Sequence, residues 1–423
     1  MSDLGHRPEP QGTRPFRLDV PLHELLMKPA SPAPVPMLLP PSEKEYLPEP
    51  VFPQRTEPAR QSSFQYTRWK AWRHWKALGT PYFKSRLLPG DFHPIIAYLF
   101  TEWKCNLDCH YCWAFDNSVK GMTEDVAKRS IDWLHSSGLR LLALMGGEPL
   151  LRPNFIHKVI YYAAKNDMLV YVPTNGRLLR PDVIDKLGDA GMGTVNLAVD
   201  CIEEKPGLEK ALAPIRPYFE YLLKRMHYYG YTVFLNVCIT RVNMDDVKEL
   251  AGIARANNLG IDFHIVETPM VEQPHYKHLN DNSTFLRQED YPKIEALIDW
   301  IIEQKKNGLK VANQTRRLQQ MKEFMHGELE PWSCRAGQNT QIVRVDGTLA
   351  PCFPLYSAKY DWGTVGDHKF DTRQLTEMKK SCETHCFSTL NHIMSYCYNN
   401  TRVFRWLAKQ AFHGFREATG AIE

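Results

Sequence analysis

Short apolar runs alternate with amphipathic segments of helical period between residues 94 and 268. Most of these runs show no alternation of polar and apolar positions, which is typical of parallel strands buried on both faces. Because helical segments follow the runs, the pattern predicts six βα units that form a right-handed, partly closed barrel. The predicted strands are Ile95–Glu102, Leu139–Met145, Leu169–Pro173, Thr194–Val199, Thr232–Ile239 and Ile261–Val266.

The helical segments between the strands have recognisable ends. The first is predicted to begin after Thr123, whose hydroxyl can cap it, and to stop at Gly138. The predicted fold class is therefore α/β, a partial (β/α)6 parallel TIM-like barrel, in which active groups lie at the carboxyl ends of the strands. The other predicted helices are Asn154–Asn166, Pro181–Ala190, Leu208–Tyr229 and Met244–Asn258.

Residues 1–60 differ from the barrel in composition, because they hold 14 of the 30 prolines. Proline fixes φ and lacks a backbone donor, so this segment cannot form the interior of a helix or a sheet. We predict an extended or disordered segment, which is either a plain tail or an arm that docks on the folded body.

A basic, aromatic helical segment is predicted in residues 61–93. No acidic residue occurs between positions 59 and 90, and Trp69, Trp72 and Trp75 recur at every third position among arginines and lysines. Three interpretations remain open. The tryptophans pack on the body of the protein, insert into an anionic membrane surface, or stack on nucleic acid.

The chain after the predicted barrel, which spans residues 94–285, divides into three parts. Residues 286–330 are predicted to form a helical linker, because apolar side chains recur there at helical spacing. Residues 331–400 carry five cysteines and are predicted to form a small domain. Residues 401–423 are predicted to form a basic amphipathic helix.

The composition, 43% hydrophobic and 24% charged, is that of a globular protein and excludes a collagen-like or fully disordered chain. A net charge of +4 is too small for a protein that binds nucleic acid over its whole surface. No apolar run reaches the roughly 20 residues of a membrane-spanning helix, and the first residues lack the pattern of a secretory signal. We expect a cytoplasmic protein, either free or attached peripherally to a membrane.

The ten cysteines are too sparse for a disulfide scaffold, and in a reducing compartment such residues are more often metal ligands, catalytic groups or core residues. Three of the ten cysteines form a closely spaced triplet. As thiolates, these three can hold three corners of a [4Fe–4S] cluster and leave the fourth iron open to a substrate or cofactor. A zinc site with His110 as fourth ligand is the alternative. Cys201 and Cys238 stand alone in apolar strands and are predicted to pack in the core. The triplet with C-x3-C-x2-C spacing, directly after the first strand, is Cys105, Cys109 and Cys112.

This triplet, with an aromatic residue before its third cysteine, resembles the cluster motif of the radical S-adenosylmethionine (radical SAM) superfamily. The turn after the second strand, Met145–Pro149 with sequence MGGEP, resembles the superfamily's GGEP motif, whose backbone and acidic side chain hold the methionine amino group. Residues of later strands resemble its ribose and carboxylate contacts. The cofactor-binding set that the resemblance implies is Tyr111, Gly146, Gly147, Glu148, Asn175, Asp200 and Asn236.

The C-terminal cysteines resemble the SPASM/Twitch extension of radical SAM enzymes, which carries auxiliary [4Fe–4S] clusters. Asp346 and Gly347 form a hairpin signal that can bring Cys334 and Cys352 together. Fewer cysteines are present than in a full SPASM pattern, which implies one auxiliary cluster bound by this pair and two further cysteines. A structural zinc site is the alternative. The candidates for the two further ligands are Cys382, Cys386 and Cys397.

The resemblance implies an enzyme that cleaves S-adenosylmethionine reductively to methionine and a 5′-deoxyadenosyl radical. The radical then abstracts a hydrogen atom from a substrate or adds to it. A reducing partner such as flavodoxin or ferredoxin is implied as well. No residue is assigned a catalytic role beyond cofactor binding.

The substrate is the least determined part of this interpretation. The basic, aromatic residues at 64–86 and 401–416 favour an anionic membrane surface, and with it a lipid or lipid-linked substrate. A ribosomally made peptide and a soluble small molecule are the alternatives. An alternative of a different class is a non-catalytic iron–sulfur protein that binds RNA or acts as a regulator. Such a protein would need no S-adenosylmethionine pocket. The MGGEP turn and Asn175 argue against it, so we do not expect nucleic acid as a partner.

Overall fold

The computed structural model describes residues 46–50, 68–267, 273, 275–280, 282–330, 332–357, 361–382, 386–400 and 402–403. The predicted proline-rich segment and the predicted C-terminal helix lie outside these ranges, except for residues 46–50 and 402–403. Leu47 is 2% exposed and packs into the main hydrophobic core. This short piece of the proline-rich segment therefore lies on the folded body.

One eight-stranded sheet organises the described residues. Its first six strands are parallel neighbours in chain order, and each agrees with a predicted strand to within two residues at either end. The predicted fold class is confirmed. The strands are β1 Ile96–Phe100, β2 Leu141–Met145, β3 Leu169–Thr174, β4 Thr194–Ala198, β5 Thr232–Ile239, β6 Gly260–Ile265, β7 Thr340–Val343 and β8 Leu349–Ala350.

Helices follow the strands and cover the sheet with apolar faces. The predicted cap is present, since the Thr123 hydroxyl accepts a hydrogen bond from the Val126 N–H at 3.3 Å. A short hairpin, β9 Gly363–Thr364 and β10 Asp367–His368, precedes the last two helices. The helices are α1 Arg68–Leu87, α2 Glu124–Ser136, α3 Pro153–Lys165, α4 Pro181–Asp189, α5 Arg216–Tyr229, α6 Met244–Ala256, α7 Tyr291–Lys306, α8 Thr315–Met325, α9 Thr372–Cys382 and α10 Thr389–Asn399.

Helix α5 is shorter than predicted, because it begins at Arg216 and not at Leu208. The residues before it form a loop that returns to the end of β4. The Asp200 N–H donates to the Lys210 carbonyl at 2.8 Å, and the Leu212 N–H donates to the Cys201 carbonyl at 2.9 Å. These bonds engage backbone groups that a helix would use internally, so tertiary pairing overrides the helical pattern here.

The cysteine-bearing C-terminal region is joined to the barrel sheet, which the sequence did not indicate. Strand β7 pairs parallel with β1, and β8 returns antiparallel to β7. The connection contains the predicted Asp-Gly turn, with Gly347 at φ +85°. Since Cys352 follows β8 directly, this hairpin fixes it at the edge of the barrel next to β1.

Helix α1 lies partly on the folded body. Tyr82 is 3% exposed, and the Tyr398 hydroxyl donates to the Ser85 carbonyl at 2.8 Å. The carboxyl-terminal half of α1 therefore packs against α10. The side chains of Trp69, Trp72 and Trp75 lie outside the described part. Among the helices of the described part, none combines the length and the apolar character that a membrane crossing requires.

Candidate active site

The cysteine triplet follows β1 and borders a cavity of about 250 Å³. Cys105, Cys109 and Cys112 all line this cavity, together with the turn after β2 and residues from β3 to β6. This edge of the sheet is where parallel barrels place their active groups. The cavity thus brings together the three cysteines and most of the residues predicted to bind a cofactor.

The three thiols suit an iron–sulfur cluster better than a single metal ion. Each cysteine of a cluster binds a different iron, so the sulfurs stand further apart than the ligands of one ion. Within the described ranges, no three His, Cys, Asp or Glu side chains are placed to hold one metal ion. His110, the fourth ligand in the zinc alternative, does not line the cavity; its ring stacks on that of His278 with centres 3.8 Å apart.

Burial opposes ionisation of these thiols and raises the pKa of Cys105 and of Cys109 to about 12. The ammonium of the half-buried Lys210 acts in the opposite direction and lowers the pKa of all three thiols. Because cysteine binds metals as the thiolate, Lys210 favours the form that a cluster needs. Lys210 lies in the loop before α5, and no motif in the sequence marked it.

Lys210, Tyr111 and Asp200 form a buried chain of hydrogen bonds beside the cysteines. The Lys210 Nζ donates to the Tyr111 hydroxyl at 2.7 Å, and that hydroxyl donates to Asp200. The other Asp200 oxygen accepts from the Cys238 N–H at 2.8 Å. Burial alone would lower the pKa of Lys210, but Asp200 and the nearby cysteines raise it, which keeps the ammonium charged.

Asp200, which the resemblance assigns to cofactor contact, is not among the residues that line the cavity. Its carboxylate accepts hydrogen bonds from the Tyr111 hydroxyl and from the Cys238 N–H. The reason is local, because β4 ends at Ala198 and Asp200 belongs to the loop beyond it. Tyr111 itself lines the cavity, so Asp200 acts on the site by holding this ring and Lys210.

The MGGEP turn packs directly on the cysteine loop, which we define as residues 102–113, the segment after β1 that carries the cysteine triplet. The Gly147 N–H donates to the Glu102 carbonyl at 3.2 Å, and the Glu148 N–H donates to the Lys104 carbonyl at 2.8 Å. A Cβ on Gly146 would lie 2.1 Å from the Glu102 carbonyl oxygen, and one on Gly147 would lie 2.2 Å from that of Lys104. Only glycine permits this approach, so the turn fixes the cysteine loop as well as lining the cavity.

Glu148 ties the same turn to β3. Its carboxylate accepts hydrogen bonds from the Leu150 N–H at 2.9 Å, the Thr174 hydroxyl at 2.8 Å and the Asn175 N–H at 2.8 Å. Burial raises the pKa of Glu148, and these three bonds lower it. Glu148 lines the cavity, so a contact with a ligand amino group adds to bonds that the carboxylate already makes within the protein.

Two further predicted residues line the cavity. The Asn175 Nδ2 donates to the Asn106 Oδ1 at 2.9 Å, and the Asn175 Oδ1 accepts from the Arg177 N–H at 3.0 Å. Because Asn106 belongs to the cysteine loop, Asn175 links β3 to that loop. Asn236 lies in β5 and contributes to the cavity wall.

A segment after β6 holds the cysteine loop from a second side. Tyr276 and Asn282 both donate side-chain hydrogen bonds to the His110 carbonyl, the Tyr276 hydroxyl at 3.1 Å. The His275 Nε2 forms a hydrogen bond with the Trp113 carbonyl at 2.7 Å. Since His110 and Trp113 flank the third cysteine, these contacts fix the backbone from which the thiols project.

The far wall of the cavity is polar, which the sequence analysis missed. Asn196, His264 and Glu267 all line it. Asn196 is 3% exposed, and its Oδ1 has no hydrogen-bond partner among the described residues; neither has the Nδ1 of His264. Burial lowers the pKa of His264 to about 3, so its ring is neutral. The available signal was a polar residue inside an otherwise apolar strand.

The two isolated cysteines differ in position. Cys201 is fully buried, with its sulfur 3.3 Å from the Leu208 carbonyl oxygen, as predicted for a core residue. Cys238 is 1% exposed and packs with Cys109 and Tyr111, but it also lines the cavity. Its thiol is therefore part of the wall beside the cysteine triplet.

Four C-terminal cysteines form a second group. Burial raises the pKa of Cys352, and the nearby thiols of Cys386, Cys382 and Cys334 raise it further. The pKa of Cys386 is likewise raised by burial and then by Cys382 and Cys334. These mutual effects place the four sulfurs within electrostatic reach of one another, although no disulfide joins any two of the described cysteines.

Backbone N–H groups point at two sulfurs of this group. The Ala336 N–H donates to the Cys334 Sγ and the Ser388 N–H donates to the Cys386 Sγ, both at 3.4 Å. Hydrogen bonds of this kind stabilise thiolates that bind clusters. Cys397 lies on α10, but its side chain is outside the described part.

Comparison with known proteins shows what the central part of the chain is similar to. Residues 104–254 match the sequence model of the radical SAM superfamily. The chain is 28% identical over 215 residues to AdoMet-dependent heme synthase of Methanosarcina barkeri, which covers 48% of this chain and 56% of that protein. It is 31% identical over 167 residues to GTP 3′,8-cyclase of Chlorobaculum tepidum, covering 38% of this chain and 49% of that protein.

The structure of Streptococcus suis SuiB bound to S-adenosylmethionine has the same fold, with a TM-score of 0.53, 14% identity and 70% of each chain covered. The chain spans about half the length of each of the two curated relatives described above. Similarity to this superfamily favours S-adenosylmethionine and a [4Fe–4S] cluster as cofactors, and the residues around the cavity fit both. Over residues 104–254, the chain is therefore similar to enzymes of the radical SAM superfamily.

Proposed function

We propose that this chain binds a [4Fe–4S] cluster through Cys105, Cys109 and Cys112 and binds S-adenosylmethionine in the adjoining cavity. When bound, the pair supplies reductive cleavage of S-adenosylmethionine and the radical that attacks the substrate, with flavodoxin or ferredoxin as the electron donor. The chain's own residues position the two cofactors, keep water out and hold the substrate.

The interlocking of the cysteine loop with the MGGEP turn is the observation that carries this proposal. Two backbone hydrogen bonds and two glycine contacts fix the loop against the turn, and both elements line one cavity. The open iron of the cluster and the amino group of S-adenosylmethionine would therefore lie next to each other in this cavity. Adding S-adenosylmethionine to reduced, reconstituted protein is expected to change the EPR signal of the catalytic cluster. An unchanged signal at full iron content contradicts the proposal.

The described residues have distinct tasks around these cofactors. Lys210 offsets the negative charge of the thiolates, and Tyr111 places that ammonium through its hydroxyl. Trp113 and Phe353 stack with ring centres 4.5 Å apart and form an apolar part of the wall. Such a wall excludes water and stray hydrogen donors from a reactive radical.

Glu148→Gln is expected to weaken S-adenosylmethionine binding by roughly tenfold to a hundredfold, the loss of a charge-assisted hydrogen bond of about 1.5–3 kcal/mol. Glutamine has the same shape but lacks the negative charge that would attract the amino group. The measurement is equilibrium dialysis of anaerobically reconstituted protein with radiolabelled S-adenosylmethionine.

Glu102→Gln is the matched control, because Glu102 is also buried and bonds backbone N–H groups but does not line the cavity. Its affinity for S-adenosylmethionine should equal that of the wild type. Equal affinity in Glu148→Gln would place Glu148 outside the cofactor contacts.

The second cysteine group is proposed to hold an auxiliary [4Fe–4S] cluster through Cys334, Cys352, Cys382 and Cys386. Four buried thiols, with two backbone N–H groups directed at their sulfurs, match the thiolate ligands of such a cluster. A zinc site is the alternative, and metal analysis separates the two.

The far wall favours a polar substrate over a lipid. Asn196 Oδ1 and the neutral ring of His264 offer unused hydrogen-bonding capacity inside the cavity. Leaving such groups buried without partners costs about 1–3 kcal/mol each, a cost that a hydrocarbon tail cannot offset. A small polar molecule, or a peptide with exposed N–H groups, can satisfy both and rest on the aromatic wall.

Liposome co-sedimentation tests the lipid alternative. The carboxyl-terminal half of α1 packs on α10, so we expect wild-type protein to remain in the supernatant with anionic vesicles at low salt. If α1 instead lies on a membrane, its basic residues contribute about 1 kcal/mol each near anionic lipid, and binding falls with salt. The relevant basic residues are Arg68, Lys70, Arg73 and Lys76.

The control is a variant with these four residues changed to glutamine, tested with anionic and neutral vesicles. If the wild type pellets with anionic vesicles and this variant does not, a lipid or lipid-linked molecule becomes the favoured substrate class.

A further inference from the structure

A buried arginine lies between the active-site cavity and the second cysteine group. Arg317 belongs to the first turn of α8 and is 2% exposed. Its Nη2 donates to the carbonyl of Phe387 at 2.7 Å, and its guanidinium carbon lies 3.1 Å from the centre of the Phe387 ring. Phe387 directly follows Cys386, so Arg317 touches the chain that carries one of the grouped thiols.

The charge of Arg317 is not neutralised by a carboxylate in contact with it. Among the described residues, Arg317 makes no ion pair within 4.0 Å, and its Nη1 has no hydrogen-bond partner. A buried cation with an unused N–H is costly. The first turn of a helix is also the end at which the helix dipole disfavours a positive charge. The position therefore calls for an anion that the described residues do not supply in contact.

Three anionic groups act on Arg317, Glu267 most strongly, and one of the three belongs to the cysteine group. Glu267, Cys386 and Asp262 are the groups whose negative charge acts on Arg317. Glu267 accepts a hydrogen bond from the Thr389 N–H at 2.6 Å, and burial raises the pKa of Asp262 to about 7. A cluster held by four thiolates carries a net negative charge, which one-electron reduction increases. Net charge and hydrogen bonds to the sulfurs set the potential of such clusters.

We propose that Arg317 is the counter-charge of the auxiliary cluster and raises its reduction potential. This inference rests on the proposed auxiliary cluster at the four C-terminal cysteines. Because the guanidinium stabilises the reduced, more negative form, it favours uptake of one electron by that cluster. Arg317 is a positioning and tuning residue and makes no contact with substrate in this account.

The experiment is an EPR-monitored redox titration of the full chain after anaerobic reconstitution, with dithionite as the reductant and redox mediators. It is run on intact protein and on protein with Cys105, Cys109 and Cys112 replaced by alanine, in which the auxiliary signal is seen alone. The variants are Arg317→Gln, which removes the charge, and Arg317→Lys, which retains it beside the anionic cluster. Phe387→Leu removes only the stacked ring and serves as the control.

Arg317→Gln is expected to lower the equilibrium constant for one-electron reduction at least tenfold, a shift of about 59 mV to more negative potential. Its iron content should equal that of the wild type. Arg317→Lys and Phe387→Leu should stay close to the wild-type potential. Equal potentials for wild type and Arg317→Gln, or equal shifts in the glutamine and lysine variants, overturn the inference.

If Arg317→Gln loses the auxiliary cluster altogether, the lysine variant decides whether the charge or the packing of Arg317 is required. If Arg317→Lys then keeps the cluster at the wild-type potential, the charge is required and the inference stands. If both variants lose it, Arg317 acts by packing and the inference fails. Failure of the underlying proposal has a different signature, since wild-type protein would then hold only about four irons, the content of one [4Fe–4S] cluster.

Discussion

Replacing Cys105, Cys109 and Cys112 together by alanine is expected to reduce the iron content from about eight to about four per chain and to abolish formation of 5′-deoxyadenosine. Eight irons correspond to two [4Fe–4S] clusters. The three cysteines line one cavity, and Lys210 favours the ionised form of all three. Removing all three therefore leaves no thiolate set beside the MGGEP turn. The measurements are iron and sulfide analysis and chromatography of the reaction products.

Cys201→Ala is the matched control for this triple variant. Cys201 is fully buried and lies outside the cavity, with its sulfur against a backbone carbonyl. It should keep full iron and full activity. If the triple variant retains about eight irons, these three cysteines do not bind the catalytic cluster.

Cys352→Ala combined with Cys386→Ala is expected to remove the other half of the iron. The catalytic cluster should remain, because neither Cys352 nor Cys386 lines the cavity that the cysteine triplet borders. Uncoupled cleavage of S-adenosylmethionine should therefore persist while turnover of the substrate is lost. Iron analysis and EPR of the reduced protein measure the first effect.

Cys397→Ala distinguishes the two possible ligand sets of the auxiliary cluster. The mutual pKa effects group Cys334, Cys352, Cys382 and Cys386, so the Cys397 variant should keep about eight irons. A drop to about four irons in Cys397→Ala would show that Cys397 is a ligand in place of Cys382 or Cys386. Zinc in place of iron in the wild-type protein would contradict the auxiliary cluster altogether.

The barrel strands could be predicted from the sequence because local and tertiary preferences agree there. No residue of β1, β5 or β6 is exposed, and the limits of these strands follow from hydrophobicity. The start of α5 could not be predicted in this way, because the backbone of residues 208–212 is engaged by the end of β4. Strand β7 was missed for a similar reason, since four residues give too short a pattern to show that they join the barrel sheet.

The motif residues of the site were predictable and the electrostatic ones were not. Gly147 and Glu148 belong to a motif whose spacing is fixed by backbone contacts, so their place in the cavity follows from the sequence. Lys210 and Arg317 act through space on thiols that are distant in sequence, and nothing local marks either residue. Asp200 is assigned to cofactor contact by the family resemblance, and the sequence does not show that its carboxylate accepts a hydrogen bond from Tyr111.

The central claim is that the cysteine triplet and the MGGEP turn form a working radical SAM site. Its most direct test is the product analysis of anaerobically reconstituted wild-type protein, incubated with S-adenosylmethionine and dithionite. We expect 5′-deoxyadenosine and methionine in equal amounts, with none formed by the triple alanine variant. Protein that holds its full iron and binds S-adenosylmethionine, yet forms no 5′-deoxyadenosine with dithionite, would contradict it.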